Sequence, residues 1–175
     1  AAGSEDPRDA YDVRAYRLEL AVDPDRRTIR GRVRVDARVV ADELSELVLD
    51  LEETLEVESV RGADGAELDF SRDGERLACR IRGPDRAARR GDDVAVTVAY
   101  RGAPHAKNGF DGFHWRTSAD GRPWIATSSQ GTGAHFWWPC KDSYWNPEDK
   151  PERVEVLLDV PAGLHVLADP DQLRQ

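Results

Sequence analysis

The chain has 175 residues, about one domain's length, with 39% hydrophobic and 34% charged residues. That balance can bury one core and is unlike a disordered tail, and no apolar run approaches the ~20 residues a membrane-spanning helix needs. A net charge of −9 argues against a nucleic-acid partner, because phosphate binding wants a basic face. The basic residues are 22 Arg and only three Lys (Lys107, Lys141, Lys150), a compositional bias without functional content. Met is absent even at position 1, which fits a chain trimmed or cut from something longer. Residues 1–11, opening Ala1-Ala2-Gly3-Ser4, read as a flexible leader with no secretory signal.

From there period-2 alternation dominates, the mark of half-buried strands. Tyr16, Leu18, Leu20 and Val22 alternate with polar or small residues, Asp23-Pro24-Asp25 turns the chain, and Ile29, Val33, Val35, Ala37 and Val39 return it as a hairpin. Leu47, Leu49 and Leu51 give the next run, then Leu55, Val57 and Ser59, with a turn at Arg61–Gly65. A short strand is expected at Ala66–Phe70, a turn at Arg72–Glu75, and a strand through Leu77, Cys79 and Ile81. Gly83-Pro84 opens a charged loop, after which Val94, Val96, Val98 and Tyr100 alternate again. Near the end Val154, Val156, Leu158 and Val160 alternate, stop at Pro161-Ala162-Gly163 and resume with Leu164 and Val166. Short strands joined by Gly, Pro and Asp turns predict an all-β fold: an antiparallel or mixed β-sandwich, or saddle-like open sheets.

The stretch from Phe110 to Trp145 breaks the rhythm and holds nine of the 13 aromatic residues, including Trp115, Trp124, Trp137, Trp138 and Trp145. Asp120-Gly121 marks a hairpin turn within it, and Ser128–Pro151 is long and irregular, the kind of segment that usually carries function. One reading makes the tryptophans flat platforms for sugar rings in a free-standing binding module. The simpler one packs them into the core or an interface, since adjacent Trp137 and Trp138 cannot both face one side of a strand.

Nucleophilic catalysis by Cys140 with His135 or His114 as base lacks any surrounding signature, and a buried structural thiol explains Cys140 better. Cys79 and Cys140 are too few for a disulfide scaffold; they form one bridge or two free thiols and leave the compartment open. His105, His114, His135 and His165 have irregular gaps and no metal-ligand spacing. Gly131-Thr132-Gly133 reads as a close backbone approach or a turn, not a phosphate cradle.

The run SSQGTGAHFWWPCKDSYWNPEDKPERVEVLLDVP, from Ser128 to Pro161, resembles the closing segment of the N-terminal domain of M1 (gluzincin) zinc aminopeptidases, in a variant like that of a bacterial subgroup. Gln130, then Pro139-Cys140-Lys141-Asp142, then Lys150 and the Val154–Pro161 strand fall in the family's order. The opening hairpin from Tyr16 to Asp23-Pro24 is similar too, so the resemblance runs from about Asp12 to Gln175.

The resemblance implies a single all-β N-terminal domain over residues 12–175, laid in the parent protein against a catalytic domain that carries HExxH and binds zinc. HExxH does not occur in this chain, so it is expected to be inactive alone. The implied partners are that C-terminal catalytic domain and a peptide substrate held by its free N-terminus, with no nucleic acid and no membrane span. Gln130 matches the family position whose side chain binds the substrate's α-amino group, and Ser128 is a minor contributor to the same wall. Ser128 stands where many members have a second Gln, and His135 where an Arg is frequent.

Overall fold

The alternating runs become strands in the computed structural model, which describes residues 6–81, 87–107, 109–130, 132–142 and 150–167. In chain order the strands are β1 (Tyr11–Asp23), β2 (Thr28–Val39), β3 (Glu43–Leu44), β4 (Glu46–Asp50), β5 (Leu55–Gly62), β6 (Phe70–Asp73), β7 (Arg76–Arg80), β8 (Ala88–Arg89), β9 (Asp93–Gly102), β10 (Ala106–Lys107), β11 (Asp111–Thr117), β12 (Pro123–Ser128) and β13 (Arg153–Asp159). Two short 3-10 turns, Pro7–Ala10 and Ala134–Phe136, complete the described elements.

The largest sheet has the order β13-β1-β2-β9-β5. It is mixed: β1, β2, β9 and β5 pair antiparallel, while β13 returns to lie parallel to β1, with Ala15 opposite Arg153. On β2 the side chains of Ile29, Val33, Val35, Ala37 and Val39 are buried, and Arg30, Arg32 and Arg38 face outward. Arg38 pairs with Asp93 across the strands at 3.0 Å, and Arg101 pairs with Glu56 at 3.0 Å. Such exposed pairs contribute little stability each, but they keep the outer face wetted. The β1–β2 turn is closed by Arg26 N–H donating to Asp23 Oδ1 at 3.0 Å, with Arg27 in the left-handed region at φ 54°.

Against the apolar face lies a second, three-stranded sheet, β4-β7-β6. Leu47 and Leu49 of β4 and Leu77 and Cys79 of β7 are wholly buried and join Leu18, Val33, Val96 and Val98 in one core. A third sheet, β10-β11-β12, carries the aromatic hairpin, and β3 pairs with β8. The fold is therefore all-β and built from open sheets.

Three local expectations change. Residues 7–11 do not trail as a leader: Pro7–Ala10 turn, Arg8 is buried against Asp6 and Asp50, and Tyr11 opens β1 with its hydroxyl donating to the Val48 carbonyl at 2.5 Å. The strand expected at Ala66–Phe70 is displaced to Phe70–Asp73, because the preceding residues bond back onto β5, with Glu67 bridging Arg61 and the Leu68 N–H donating to the Val60 carbonyl at 2.9 Å. Leu164 and Val166 continue past the Pro161–Gly163 turn without joining a sheet. The expected Gly83-Pro84 loop opening lies outside the described residues.

Gly31 on β2 is the position where a side chain would do most harm. A Cβ there would sit 2.3 Å from the ring of Tyr100, the residue opposite it on β9. The missing side chain lets the buried Tyr100 lie across the sheet, where its hydroxyl donates to the Trp137 carbonyl at 2.9 Å. Gly31→Ala is expected to lower the unfolding free energy by about 1–3 kcal/mol through this overpacking. Urea unfolding of both proteins checks it, and an unchanged midpoint would show that Tyr100 yields freely.

Candidate functional site

Gln130 stands just beyond the end of β12, exposed, at the start of the irregular segment. Its backbone N–H donates to Asp111 Oδ1 at 2.9 Å, and Gln130 forms an isolated antiparallel bridge with Thr132. The carboxamide makes no hydrogen bond among the described residues, so its polar end is available to solvent or a ligand. Ser128, two residues earlier, is half-buried, and its hydroxyl donates to the Phe110 carbonyl. His114 Nε2 lies 2.7 Å from that carbonyl and 3.0 Å from Ser128 Oγ. The two predicted wall residues thus lie two apart in sequence but differ in state: Gln130 presents its side chain, whereas Ser128 ties β12 to the start of β11.

A second carboxylate fixes the other end of this segment. Asp142 Oδ2 accepts the Gly133 N–H at 2.7 Å, the His135 N–H at 3.2 Å and His135 Nδ1 at 2.5 Å. Gly133 has φ 136°, a conformation that favours glycine, and a Cβ there would come within 3.1 Å of Asp111. Burial alone would raise the Asp142 carboxyl, but the His135 ring and the two backbone N–H groups hold it below the ordinary carboxylate range. Gln130 and Gly133 are therefore pinned by Asp111 and Asp142 respectively.

The segment is then stitched to the core. Asp50 and Cys140 exchange backbone bonds at 2.7 and 3.1 Å, and the Asp142 N–H donates to Asp50 Oδ2 at 3.0 Å. Arg8 Nη1 reaches the same Asp50 oxygen at 2.5 Å. Burial pushes the Asp50 carboxyl above its usual value despite these donors. Lys141 donates its backbone N–H to the Tyr16 hydroxyl at 3.0 Å and its ammonium to the Tyr11 carbonyl at 2.9 Å.

The aromatic residues are mostly structural. Trp138 is buried edge-on against Tyr16, with centroids 4.8 Å apart, and Phe113 packs on Trp115 at 4.7 Å. Trp137 is half-buried against the core, and the Trp115 indole donates to the Pro104 carbonyl at 2.8 Å. Of the four described tryptophans only Trp124 is largely exposed, at 53%, alongside Phe110 at 55%. Trp145 and Gly131 lie outside the described residues. Cys140 and Cys79 are buried free thiols; burial pushes Cys79 up to about 12 and Cys140 well above its ordinary value, so neither is a ready nucleophile. His135, weighed as a base for Cys140, is bound to Asp142 instead.

Sequence reasoning did not single out Asp111, Glu75 or Lys107, and gave Asp142 no role of its own. Asp111 preceding Gly112, at φ 116°, and Asp142 closing the Pro139-Cys140-Lys141-Asp142 run were the available signals. Among the described residues no group of three or more His, Cys, Asp or Glu is arranged to hold a metal ion. No helix among them is long and apolar enough to cross a membrane.

The sequence matches no protein-family profile and no curated protein. Solved structures do share the fold. The M1 zinc metallopeptidase of Deinococcus radiodurans is 23% identical with a TM-score of 0.66, over 87% of this chain and 33% of that one. A mutant of the Deinococcus radiodurans M1 zinc metallopeptidase bound to the substrate Tyr-Ser-Ala is 20% identical with a TM-score of 0.65, over 93% and 37%. Native leukotriene A4 hydrolase from Saccharomyces cerevisiae is 21% identical with a TM-score of 0.64, over 85% and 24%. The chain thus spans between a quarter and just over a third of these neighbours, with the all-β architecture of an M1 aminopeptidase N-terminal domain.

Replacing Asp142 by Asn removes the charge that three N–H groups address. The variant is expected to lose about 1.5–3 kcal/mol of stability at neutral pH, the worth of hydrogen bonds to a charged group. Because the folded Asp142 carboxyl is held below its ordinary value, its contribution is complete above that value and disappears as pH falls through the folded one. Thermal unfolding from pH 7 to pH 2 checks the sign: the gap between wild type and Asp142→Asn should close in acid. A constant gap would place the cost elsewhere.

Proposed function

We propose that this chain is the N-terminal domain of a bacterial zinc aminopeptidase of the M1 type, and that it supplies part of the wall receiving the substrate's free N-terminus. The observation carrying this is the exposed Gln130 carboxamide on a backbone pinned at both ends, within a fold shared with M1 zinc metallopeptidases. A fixed oxygen acceptor beside an ammonium holds a peptide by its first residue, so that only the first peptide bond reaches the reacting centre. Ser128 contributes by keeping the end of β12, and hence Gln130, in place.

Zinc in the parent protein would polarise the scissile carbonyl and activate water. In this reading the ion would be held by the C-terminal catalytic domain. The exposed Phe110, just before β11, and Trp124 of β12 are side chains suited to apolar contact with that domain. The carbohydrate-module alternative is weakened because, of its candidate platforms, Trp115 and Trp137 pack against the core, leaving Trp124 as the exposed one among the described residues.

In the full-length enzyme Gln130→Ala is expected to lower kcat/KM for unblocked peptides about 10- to 100-fold, the worth of a hydrogen bond to a charged group. Gln130→Glu keeps an oxygen acceptor and should retain most of the activity. Steady-state kinetics on several aminoacyl substrates checks this, and unchanged constants in Gln130→Ala would remove Gln130 from the site.

A further inference from the structure

The polar cluster that anchors the far end of the Gln130 segment is centred on His135. His135 lies between two carboxylates, with Nδ1 2.5 Å from Asp142 Oδ2 and Nε2 3.5 Å from Glu75 Oε2. A neutral imidazole has one N–H and can address only one of them, whereas an imidazolium addresses both. The ring is buried on the 3-10 turn Ala134–Phe136, whose entry is the Gly133 N–H bonded to the same Asp142 oxygen.

The groups facing this ring come from every neighbouring element. Asp50 ends β4 and Glu52 follows it, Glu75 precedes β7, Lys107 belongs to β10, and Asp142 closes the segment itself. Lys107 Nζ binds Glu52 at 2.8 Å and Glu75 at 2.6 Å and sits 4.6 Å over the Phe136 ring. Arg8 and the more distant Arg76 serve Asp50. Four carboxylates thus surround one histidine, and the cations beside them are already bound to three of the four.

We propose that His135 and Asp142 are positioning residues for Gln130: a protonated His135 clasps Asp142 to Glu75, fixes the Gly133–His135 turn, and releases its hold as pH rises. The connection to substrate rests on the reading of Gln130 as the amino-terminus contact, while the clasp itself does not.

Burial opposes the imidazolium, but the bond to Asp142 and the charges of Asp142 and Glu75 outweigh it and raise His135 above the ordinary imidazole value. A group raised in the folded state contributes fully below its unfolded value and loses that contribution as pH climbs through the folded one. Asp142, held low, stays charged throughout this range.

The test follows hydrogen-exchange protection of the Gly133 amide in this chain from pH 6 to pH 9, in wild type, His135→Arg and His135→Gln. Wild-type protection should fall about tenfold or more, the loss of a charge-assisted bond. His135→Arg, always charged, should be flat and protected, and His135→Gln flat and weakly protected. A flat wild-type profile, or an equal fall in His135→Gln, overturns the clasp. If His135→Gln does not fold, the wild-type imidazole titration read by NMR replaces it: a midpoint matching the Gly133 profile supports the clasp, and a mismatch overturns it. In the full-length enzyme, KM for unblocked peptides should rise over the same range relative to His135→Arg, with kcat little changed. Absence of aminopeptidase activity there would overturn the Gln130 reading alone, leaving the Gly133 result standing.

Discussion

Asp142 is a carboxylate taken out of water, and a buried charge without partners costs several kcal/mol. The segment from Gly133 to Asp142 is shaped by that constraint. Two backbone N–H groups and an imidazole converge on one oxygen, and the residue's own N–H is handed to Asp50. Only a tight turn with glycine at its entry brings both N–H groups to one point, which is why Gly133 adopts a positive φ. Asp50 continues the chain of dependence outward to Arg8, so the first turn of the protein and its irregular segment share one buried anion.

That arrangement explains how an irregular segment can fix the backbone at Gln130 while leaving its carboxamide exposed. The strand β12 ends at Ser128, and just beyond it carboxylates add order: Asp111 on the Gln130 N–H and Asp142 on the Gly133 N–H. The aromatic residues supply the floor. Trp138 against Tyr16, and Trp137 under the Tyr100 hydroxyl, bind the same segment to the large sheet. The core and the site are therefore not separate; the room left by Gly31 on β2 is what allows Tyr100 to reach Trp137.

The strands were legible in the sequence because their faces are unequal: Val33, Val35 and Ala37 alternate with Arg and Asp, and only a half-buried strand makes sense of that. The all-β class follows from the same signal, but the parallel return of β13 beside β1 does not, because alternation is blind to strand direction. Leu68 misled because an apolar residue drawn in from a turn looks like one belonging to a strand. Arg8 hid because a charge is rarely buried, and its pairing with Asp50 is 42 residues away in sequence. The motif named Gln130 as a candidate, but how its backbone is held was not legible. Asp111 and Asp142 lie 19 and 9 residues from the groups they bind, and no local pattern announces a backbone-to-carboxylate bond at that range.

The central claim is that this scaffold offers Gln130 to the free amino group of a peptide. The most direct measurement is a structure of the full-length protein with an unblocked tripeptide bound. The account predicts the Gln130 carboxamide oxygen at about 3 Å from the substrate's terminal nitrogen, with the Asp111 and Asp142 bonds intact. A terminal nitrogen held elsewhere, with Gln130 still facing solvent, would contradict it.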